Sequence, residues 1–497
     1  MTESHSAVLA QRLDASRLPQ LDLLRGIAVS LVLARHLSFS FLYAGKLAPV
    51  VKLGYDFGWT GVDLFFVLSG FLVGGLLFKE WRRDASLDVG RFLIRRGFKI
   101  WPAYVVYIVS MTVVYIYDGT QGPPRHIITS FFPNFVHLQS YAPTPLLHTW
   151  SLSVEEHFYL VLPLILWLAS DHPTQRRQAL RVLLMMAAGI AILVLGIHFA
   201  LQSFLPLSSL PGDMQNCLRA YLQPTFLCLF GLQVFSLFAL CVLLPRFFRH
   251  RNDLPALPLI AIGVLVLCGV FRVTNYWLST RLGIDWSFNF FATHLRIDSI
   301  FFGVLLGYWH HFHGDKLQRV ARHRGLLCLV GVALILCAVY GPWPILFFSQ
   351  YLCFILLYLG YGCLLLAVVY TPLGEGWLGK SLNSFPARRL AYIGYYSYSI
   401  YLWHISVTRY RIDRWLYLHW EGKWPTEVRW LLMTTISIAG AILLGVLMAK
   451  LIEQPFLRLR DRFFPGRAKA LVEQSEAAAM DFASQGLNPS TQQSPAS

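Results

Sequence analysis

Long apolar segments alternate with short polar segments along almost the whole chain. A helix needs roughly 17 to 25 residues to cross a bilayer, and twelve apolar stretches reach that length, a count good to about two. They begin near residues 23, 59, 100, 150, 182, 226, 255, 295, 326, 347, 392 and 429. The pattern predicts an all-α fold, a polytopic integral membrane bundle of about 10–12 transmembrane helices.

Composition and charge support a membrane protein and indicate its orientation. Of the 497 residues, 56% are hydrophobic and 14% are charged, whereas soluble domains are roughly 25% charged. The net charge is +16, but the basic residues lie in short runs between apolar segments, which argues against nucleic acid as a partner. With a cytoplasmic N-terminus, 22 Lys and Arg residues fall in inner loops and 8 in outer loops. The positive-inside rule therefore predicts that both termini are cytoplasmic.

The domain organisation follows from the same pattern. The first apolar segment is too long for the apolar core of a signal peptide, so we expect it to remain as a membrane helix. We expect a cytoplasmic segment over residues 1–17, one transmembrane domain over 18–460, and a tail over 461–497 that lacks the apolar content to fold alone. The eight cysteines include no C-x-x-C pair, and no metal site is predicted.

The first apolar segment carries two polar residues that share one helix face. Arg25 and His36 are eleven residues apart, which is three turns plus roughly 20° at about 100° per residue. Their separation along the axis is roughly 16 Å. Polar groups at membrane depth are costly and usually functional. Two structural alternatives stay open, a snorkelling role for Arg25 and a hydrogen bond between helices for His36.

The most basic polar segment runs from Lys79 to Lys99 and holds seven Lys and Arg residues. We expect it to be an inner loop that ends where the next helix begins. Arg96 and Lys99 are three residues apart, so they share a face at that helix entry. The cluster suits a polyphosphate, and binding of anionic lipid headgroups or a topology signal alone is the alternative.

Acidic residues near the predicted outer ends of two segments are candidates for substrate binding or catalysis. Asp63 is placed to orient a histidine or a sugar hydroxyl, and an interfacial carboxylate solvated by water is the alternative. Glu155 and Glu156 lie just inside another outer end, where a carboxylate needs a partner, water or a function. Adjacent side chains point about 100° apart, so we expect at most one of the two to face a given cavity.

Four more polar residues lie in later apolar segments. Arg296 and Asp298 are two residues apart and do not face each other, so we expect each to pair with another helix. His404 has the same two interpretations as His36. Glu453 is expected to be structural.

Taken in order, these stretches resemble the acyltransferase 3 family of membrane acyltransferases, which includes bacterial enzymes that O-acetylate cell-surface polysaccharides. The resemblance covers about residues 18–460. Its motifs are Leu21-Asp-x-Leu-Arg-Gly-Ile-Ala with Arg25-x10-His36, Gly61-Val-Asp-Leu-Phe-Phe-Val-Leu-Ser-Gly-Phe, Arg96-x-x-Lys99-Ile-x-Pro, Thr149-Trp-Ser-Leu-Ser-Val-Glu-Glu-x-Phe-Tyr, Arg296-x-Asp298, Ser397-Tyr-Ser-Ile-Tyr-Leu-Trp-His and Glu453-x-Pro-Phe.

The resemblance implies a cytoplasmic acyl-CoA donor, such as acetyl-CoA, and an acceptor hydroxyl at the outer side of the inner (plasma) membrane, often on a sugar or polysaccharide. It makes His36 and Glu155 the catalytic candidates, with Arg25 as the partner of His36. Arg96 matches the first position of the family's Arg-x-x-Arg motif. Lys99 departs from the second position, because lysine keeps the charge but loses the bidentate fork.

As a hypothesis, neutral His36 acts as general base on the acceptor hydroxyl, and Glu155 orients it or holds the acceptor. Arg25, Arg96 and Lys99 then hold the anionic donor. Direct transfer is favoured because no serine or cysteine has a nucleophile-elbow context, and an acyl-enzyme stage stays open. A transporter or flippase for a glycan, lipid or acyl intermediate is the alternative function, and a non-catalytic role in a glycan assembly complex is another. The sequence leaves open the acyl group, the acceptor and a homo-oligomeric state.

Overall fold

The protein is an all-α molecule. Its computed structural model describes residues 18–37, 45–84, 86–119, 123–170, 172–185, 189, 224–247, 254, 256–282, 290–342, 345, 348–408, 419–420 and 423–465. These ranges contain helices and no strand, which confirms the predicted fold class. Residues 1–17, the tail beyond 465 and most of the apolar segment predicted from residue 182 lie outside the described residues.

Helices of very different length make up the described chain. They are α1 (Pro19–Leu37), α2 (Ala48–Gly58), α3 (Gly61–Asp84), α4 (Val89–Asp118), α5 (Pro124–Phe135), α6 (Trp150–Ala169), α7 (Pro224–Phe247), α8 (Ala256–Leu282), α9 (Thr293–Arg296), α10 (Asp298–Phe312), α11 (Gly314–Ala321), α12 (Arg324–Tyr340), α13 (Cys353–Val369), α14 (Gly376–Leu382), α15 (Phe385–Tyr395), α16 (Ser397–Thr408), α17 (Thr426–Met448) and α18 (Gln454–Phe463). Short π-helical stretches, Phe348–Leu352 and Ala449–Glu453, lead into α13 and α18.

Several helical stretches are long and apolar enough to cross a membrane. Within the described residues these are Gly45–Asp84, Val89–Asp118, Leu147–Ala169, Ala256–Arg281, Phe348–Val369 and Thr426–Phe463. A further span results if α11 and α12, which are bent by 82°, are counted together. The polytopic membrane architecture is thereby confirmed. Other predicted segments fold as shorter helices, such as α10, or lie partly outside the described residues.

Most of the described basic segment between Lys79 and Lys99 is helical, so the prediction of a loop was wrong. Helix α3 continues to Asp84 and α4 already begins at Val89. The carboxylate of Asp88 accepts a hydrogen bond from the main-chain amide of Arg91 at 3.0 Å and caps α4. Lysine and arginine are good helix formers. The cations at the start of α4 therefore lie on successive turns of an ordered helix.

The apolar segment predicted from residue 392 is interrupted at Tyr396, between α15 and α16. Before this break, α15 packs against α1 through two glycines. A Cβ atom on Gly394 would lie 2.6 Å from the main-chain nitrogen of Gly26, and one on Gly26 would collide with the carbonyl of Leu390. Such close backbone approach requires small residues. It holds α15 against the helix that carries Arg25 and His36.

Helix α3 lies in the core of the bundle and packs tightly against α10. A Cβ atom on Gly70 would collide with the carbonyl of Ile300, and one on Gly303 would collide with the carbonyl of Val67. The glycines of α3 therefore serve close helix packing. Phe66 and Phe78 of the same helix are completely buried in the core between α3, α6, α8 and α10.

Candidate active site

A long cavity with a volume of about 700 Å³ follows α3 through the bundle. Residues of α3 from Val62 to Arg83 line it, and 21 residues at 1.5 Å each correspond to about 32 Å of helix. That length is close to the thickness of a bilayer core, which is roughly 30 Å. The cavity therefore connects two regions of the bundle that lie far apart.

Positive charge predominates in the lining of the cavity. The charged side chains that line it come from α1, α3, α4, α6, the turn before α18, and α18. The basic ones are Arg25, Lys79, Arg83, Arg91, Arg95, Arg96, Lys99 and Arg460, and the acidic ones are Glu80, Glu155, Glu156 and Glu453. An excess of cations facing a cavity is suited to an anionic ligand.

The structure brings four of the predicted site residues together in this cavity. Arg25, Arg96 and Lys99 all lie close enough to Glu155 to interact with it electrostatically. Glu155 accepts a hydrogen bond from the hydroxyl of Tyr159 at 2.7 Å. The guanidinium of Arg96 lies 5.3 Å from the ring centroid of Tyr159, and Arg25 also pairs with a carboxylate of its own helix, at 3.1 Å. These contacts fix the orientation of Arg96 and Glu155 in the wall of the cavity.

Glu156 lines the same cavity, so the expectation that only one of the adjacent acids would do so was wrong. Its carboxylate accepts a hydrogen bond from the indole nitrogen of Trp101 at 3.0 Å. Glu155 instead faces Tyr159, four residues further along α6. Although the two side chains point in different directions, the cavity is wide enough around the start of α6 to reach both.

The end of the cavity remote from Arg83 is formed by hydroxyl groups. Ser151 and Tyr401 both line it, and their oxygen atoms are 2.6 Å apart. The hydroxyl of Tyr401 donates to the carbonyl of His148 at 2.5 Å, so the bond with Ser151 is donated by the serine. On α6, Ser151, Glu155 and Tyr159 recur every four residues and form one face along the cavity.

Three histidine rings adjoin this end of the cavity. Nε2 of His404 lies 3.1 Å from Nδ1 of His36, and Nδ1 of His404 lies 2.6 Å from the carbonyl of Tyr401. The rings of His404 and His148 meet edge to face, with centroids 5.5 Å apart. Among the described residues, the lining of the cavity includes Tyr401 but none of these histidines. Tyr401, which lines the cavity, and His404, which contacts Tyr401, therefore link the cavity to His36.

Asp63 lies elsewhere, in a buried network of ion pairs. Both of its carboxylate oxygens accept hydrogen bonds from Nη2 of Arg296, at 2.9 and 3.0 Å, and Ser299 donates to it at 3.0 Å. Asp298 pairs instead with Arg272 of α8 at 2.8 Å. The prediction that Arg296 and Asp298 each pair with another helix is confirmed. Asp63 is not among the described residues that line the cavity.

Several residues of this region were not selected as site residues from the sequence. Ser151, Tyr401 and Glu453 line the cavity, and His404 contacts His36. Glu453 accepts a hydrogen bond from Ser399 at 2.8 Å and interacts with Lys99. The only local signal for Ser151 was its spacing of four residues from Glu155. Among the described residues, no group of three or more His, Cys, Asp or Glu side chains is arranged to hold a metal ion.

Comparison with known protein families identifies the region that carries this site. A profile of the acyltransferase domain family, acyltransferase 3, matches residues 18–230. The matched acyltransferase domain contains Arg25, His36, Lys99 and Glu155, whereas His404 follows it in the chain.

Curated relatives with sequence similarity to the acyltransferase domain have names that concern O-acetylation. The chain is 33% identical over 168 residues to "Peptidoglycan O-acetyltransferase OatA" of Listeria monocytogenes, which covers 31% of this chain and 25% of that protein. It is 28% identical over 228 residues to "O-acetyltransferase OatA" of Staphylococcus aureus, which covers 42% of this chain and 35% of that protein. The aligned region therefore spans about a quarter to a third of these relatives. No solved structure matches the chain.

Proposed function

We propose that the protein is a membrane O-acyltransferase that moves an acyl group, most simply acetyl, from cytoplasmic acyl-CoA to a hydroxyl of a cell-surface glycan. The observation that carries this proposal is the cavity of about 700 Å³, which leads from a cluster of cations to the hydroxyl and histidine groups around Tyr401. The acyltransferase domain match and the names of the relatives support the reaction class. Peptidoglycan is the acceptor that we test first.

The donor site is the basic part of the cavity. Phosphate groups of acyl-CoA carry negative charge, and Arg25, Arg96 and Lys99 face the cavity, where all three interact with Glu155. Charge-assisted hydrogen bonds from such groups are roughly twice as strong as neutral ones. The thioester end of the donor extends along α3 toward Ser151 and Tyr401. In this arrangement the cationic end of the cavity is cytoplasmic, as the positive-inside rule predicts for both termini.

The acyl transfer itself needs a base for the acceptor hydroxyl. The hydroxyl oxygen bonds to the acyl carbon while Nε2 of His36 takes the hydroxyl proton. The carbon–sulfur bond then breaks, and His36 returns the proton to the leaving thiolate of CoA. The products are an O-acyl ester and CoA. General base catalysis of this kind is worth about 10² to 10⁴ in rate. Because Glu155 contacts Tyr159 and the cationic cluster, we assign it to holding the donor and shaping the passage toward the hydroxyl groups.

The proposal is tested with purified protein reconstituted into vesicles, with isotopically labelled acetyl-CoA and peptidoglycan fragments as substrates. The O-acetyl product is quantified by mass spectrometry. We expect His36→Ala to lower the transfer rate by about 10² to 10⁴ and Glu155→Gln to lower it less. His172→Ala, which replaces an exposed histidine, is the matched control and should transfer normally.

Two outcomes would overturn the proposal. Full transfer by His36→Ala would exclude His36 as the base. If wild-type protein transfers no acyl group to peptidoglycan or to other surface glycans of the host, while labelled glycan or lipid still crosses the vesicle membrane, the protein is a transporter. In cells, loss of an O-acyl modification on gene deletion, restored by wild type and not by His36→Ala, would identify the acceptor directly.

A further inference from the structure

The contacts of two main-chain carbonyls determine which nitrogens of the histidine pair carry protons. Nδ1 of His36 lies 2.9 Å from the carbonyl of Val32, and Nδ1 of His404 lies 2.6 Å from the carbonyl of Tyr401. A carbonyl oxygen only accepts, so both Nδ1 atoms must donate. Nε2 of neutral His404 then carries a lone pair, and it accepts from Nδ1 of His36 at 3.1 Å.

This arrangement fixes the chemistry of His36 at its other nitrogen. With the proton on Nδ1, the lone pair of the neutral ring is on Nε2, the atom that a general base needs. When Nε2 takes a proton, the ring becomes an imidazolium, and its Nδ1–H still has two acceptors, the carbonyl of Val32 and Nε2 of His404. A neutral partner ring that accepts this bond stabilises the positive charge.

We propose that His404 is a positioning residue that holds the ring of His36 in the Nδ1-protonated form, with Nε2 presented to the reacting groups. The inference rests on the proposed function, in which His36 is the base. His404 is completely buried, and the titratable groups that face it are His36 from α1, His148 from the turn before α6 and Tyr401 of its own helix.

The position of His404 in the bundle favours this role over simple space filling. Its Nδ1–H bond to Tyr401 is local, three residues back in α16, whereas its Nε2 contact joins residues 368 positions apart in the chain. Tyr401 also lines the cavity and donates to the carbonyl of His148. The same short stretch of α16 therefore lines the end of the cavity and contacts the base beside it.

The test compares His404→Leu with His404→Gln in the reconstituted acetyl-transfer assay, measuring kcat and the KM for acetyl-CoA separately. Residues that orient a metal-binding histidine through its second nitrogen are typically worth about 10- to 100-fold, and we use the same range for His36. We expect His404→Leu to lower kcat by that factor and to leave the KM unchanged, because the donor site lies in the basic part of the cavity. His404→Gln supplies an amide oxygen as acceptor, so its kcat should be about ten times that of His404→Leu.

A double variant separates positioning from an independent effect. In the His36→Ala background, the further change His404→Leu should not lower the residual rate, because His404 acts through His36. His294→Leu is the control for loss of a buried histidine, since His294 contacts Gln233 and Tyr141 instead. Its kcat per folded molecule should be normal. Thermal unfolding and gel filtration in detergent report the folded fraction of each variant.

Each remaining result has a distinct meaning. If His404→Leu retains normal kcat while His36→Ala loses it, the inference is wrong and the proposed function stands. An additional loss in the double variant, or a kcat for His404→Gln as low as that for His404→Leu, would also overturn the positioning role. If neither single variant changes the rate, His36 is not the base, so both the proposed catalytic role of His36 and the inference about His404 fail.

Discussion

Two groups of charged side chains lie inside the bundle, one buried and one partly exposed to the cavity, and they differ in how completely their charges are balanced. In the first, Asp63 pairs with Arg296 and Asp298 pairs with Arg272, so two acids meet two bases. All four side chains are at most 2% exposed. Main-chain carbonyls and Ser299 supply further hydrogen bonds to this group. The two acids and two bases balance each other's charge and join α3, α8, α9 and α10.

The second group lines the cavity and keeps an excess of positive charge. Eight basic and four acidic side chains of the described residues line it. Among them, Arg25, Arg96 and Lys99 interact with Glu155, and Lys99 also interacts with Glu453. Charges of the same sign held close together cost free energy unless an anion joins them. Buried charge alone therefore does not indicate a ligand site in a membrane protein. A group of charges that is not balanced and that faces a cavity does indicate one.

The largest effect is expected from breaking the balanced group. Asp63→Leu leaves the guanidinium of Arg296 buried without its carboxylate, and removing one partner of a buried pair costs about 3 to 5 kcal/mol. We therefore expect a large drop in the thermal unfolding temperature in detergent. The double variant Asp63→Leu/Arg296→Leu should recover much of the loss, because replacing both charges by apolar groups is often neutral.

The Asp63→Leu variant also tests the substrate-binding role that the sequence suggested for Asp63. A stable Asp63→Leu protein with an increased KM for donor or acceptor would show that Asp63 binds substrate and that its pair with Arg296 contributes little to folding.

Removing a charge from the group that lines the cavity is expected to change substrate binding and not stability. Lys99→Gln removes a cation whose neighbours include two other cations, so stability should be unchanged or slightly higher. The KM for acetyl-CoA should rise by about 10- to 100-fold, since a hydrogen bond to a charged group is worth about 1.5 to 3 kcal/mol. Steady-state kinetics at fixed ionic strength measure this change.

Lys316→Gln is the matched control, because Lys316 is an exposed lysine outside the cavity lining. It should leave both the KM and the unfolding temperature unchanged. If Lys99→Gln instead unfolds at a much lower temperature with a normal KM, the cationic cluster is structural and the contrast with the Asp63 group disappears.

Local patterns predicted the parts of the site that lie on a single helix. The shared face of Arg25 and His36 on α1, and that of Arg96 and Lys99 on α4, followed from helix periodicity. The structure places three of these four in the cavity lining and His36 beside His404, which in turn contacts Tyr401. Periodicity also predicted that Arg296 and Asp298 would face different partners.

Helix periodicity could not predict contacts between helices that are far apart in the sequence. His36 and His404 are 368 residues apart, and Asp63 and Arg296 are 233 apart. Both contacts depend on which helices pack together, and that depends on features such as the approach of Gly26 to Gly394. A single apolar segment carries no information about its neighbour, so sequence reasoning placed Asp63 in a substrate site and left His404 undecided.

The smallest effect is expected from changing the shape of a cation while keeping its charge. By its resemblance to the family's Arg-x-x-Arg motif, Lys99 is expected to stand where that motif has its second arginine. A guanidinium binds phosphate through two parallel hydrogen bonds, whereas an ammonium binds as a point charge. Lys99→Arg should therefore lower the KM for acetyl-CoA by about threefold, or roughly 0.6 kcal/mol, with kcat unchanged. Arg96→Lys is the reciprocal change and should raise the KM by a similar factor. If Lys99→Arg raises the KM as much as Lys99→Gln does, a compact ammonium group is required at this point of the cavity, and the excess of positive charge is not sufficient to describe the donor site.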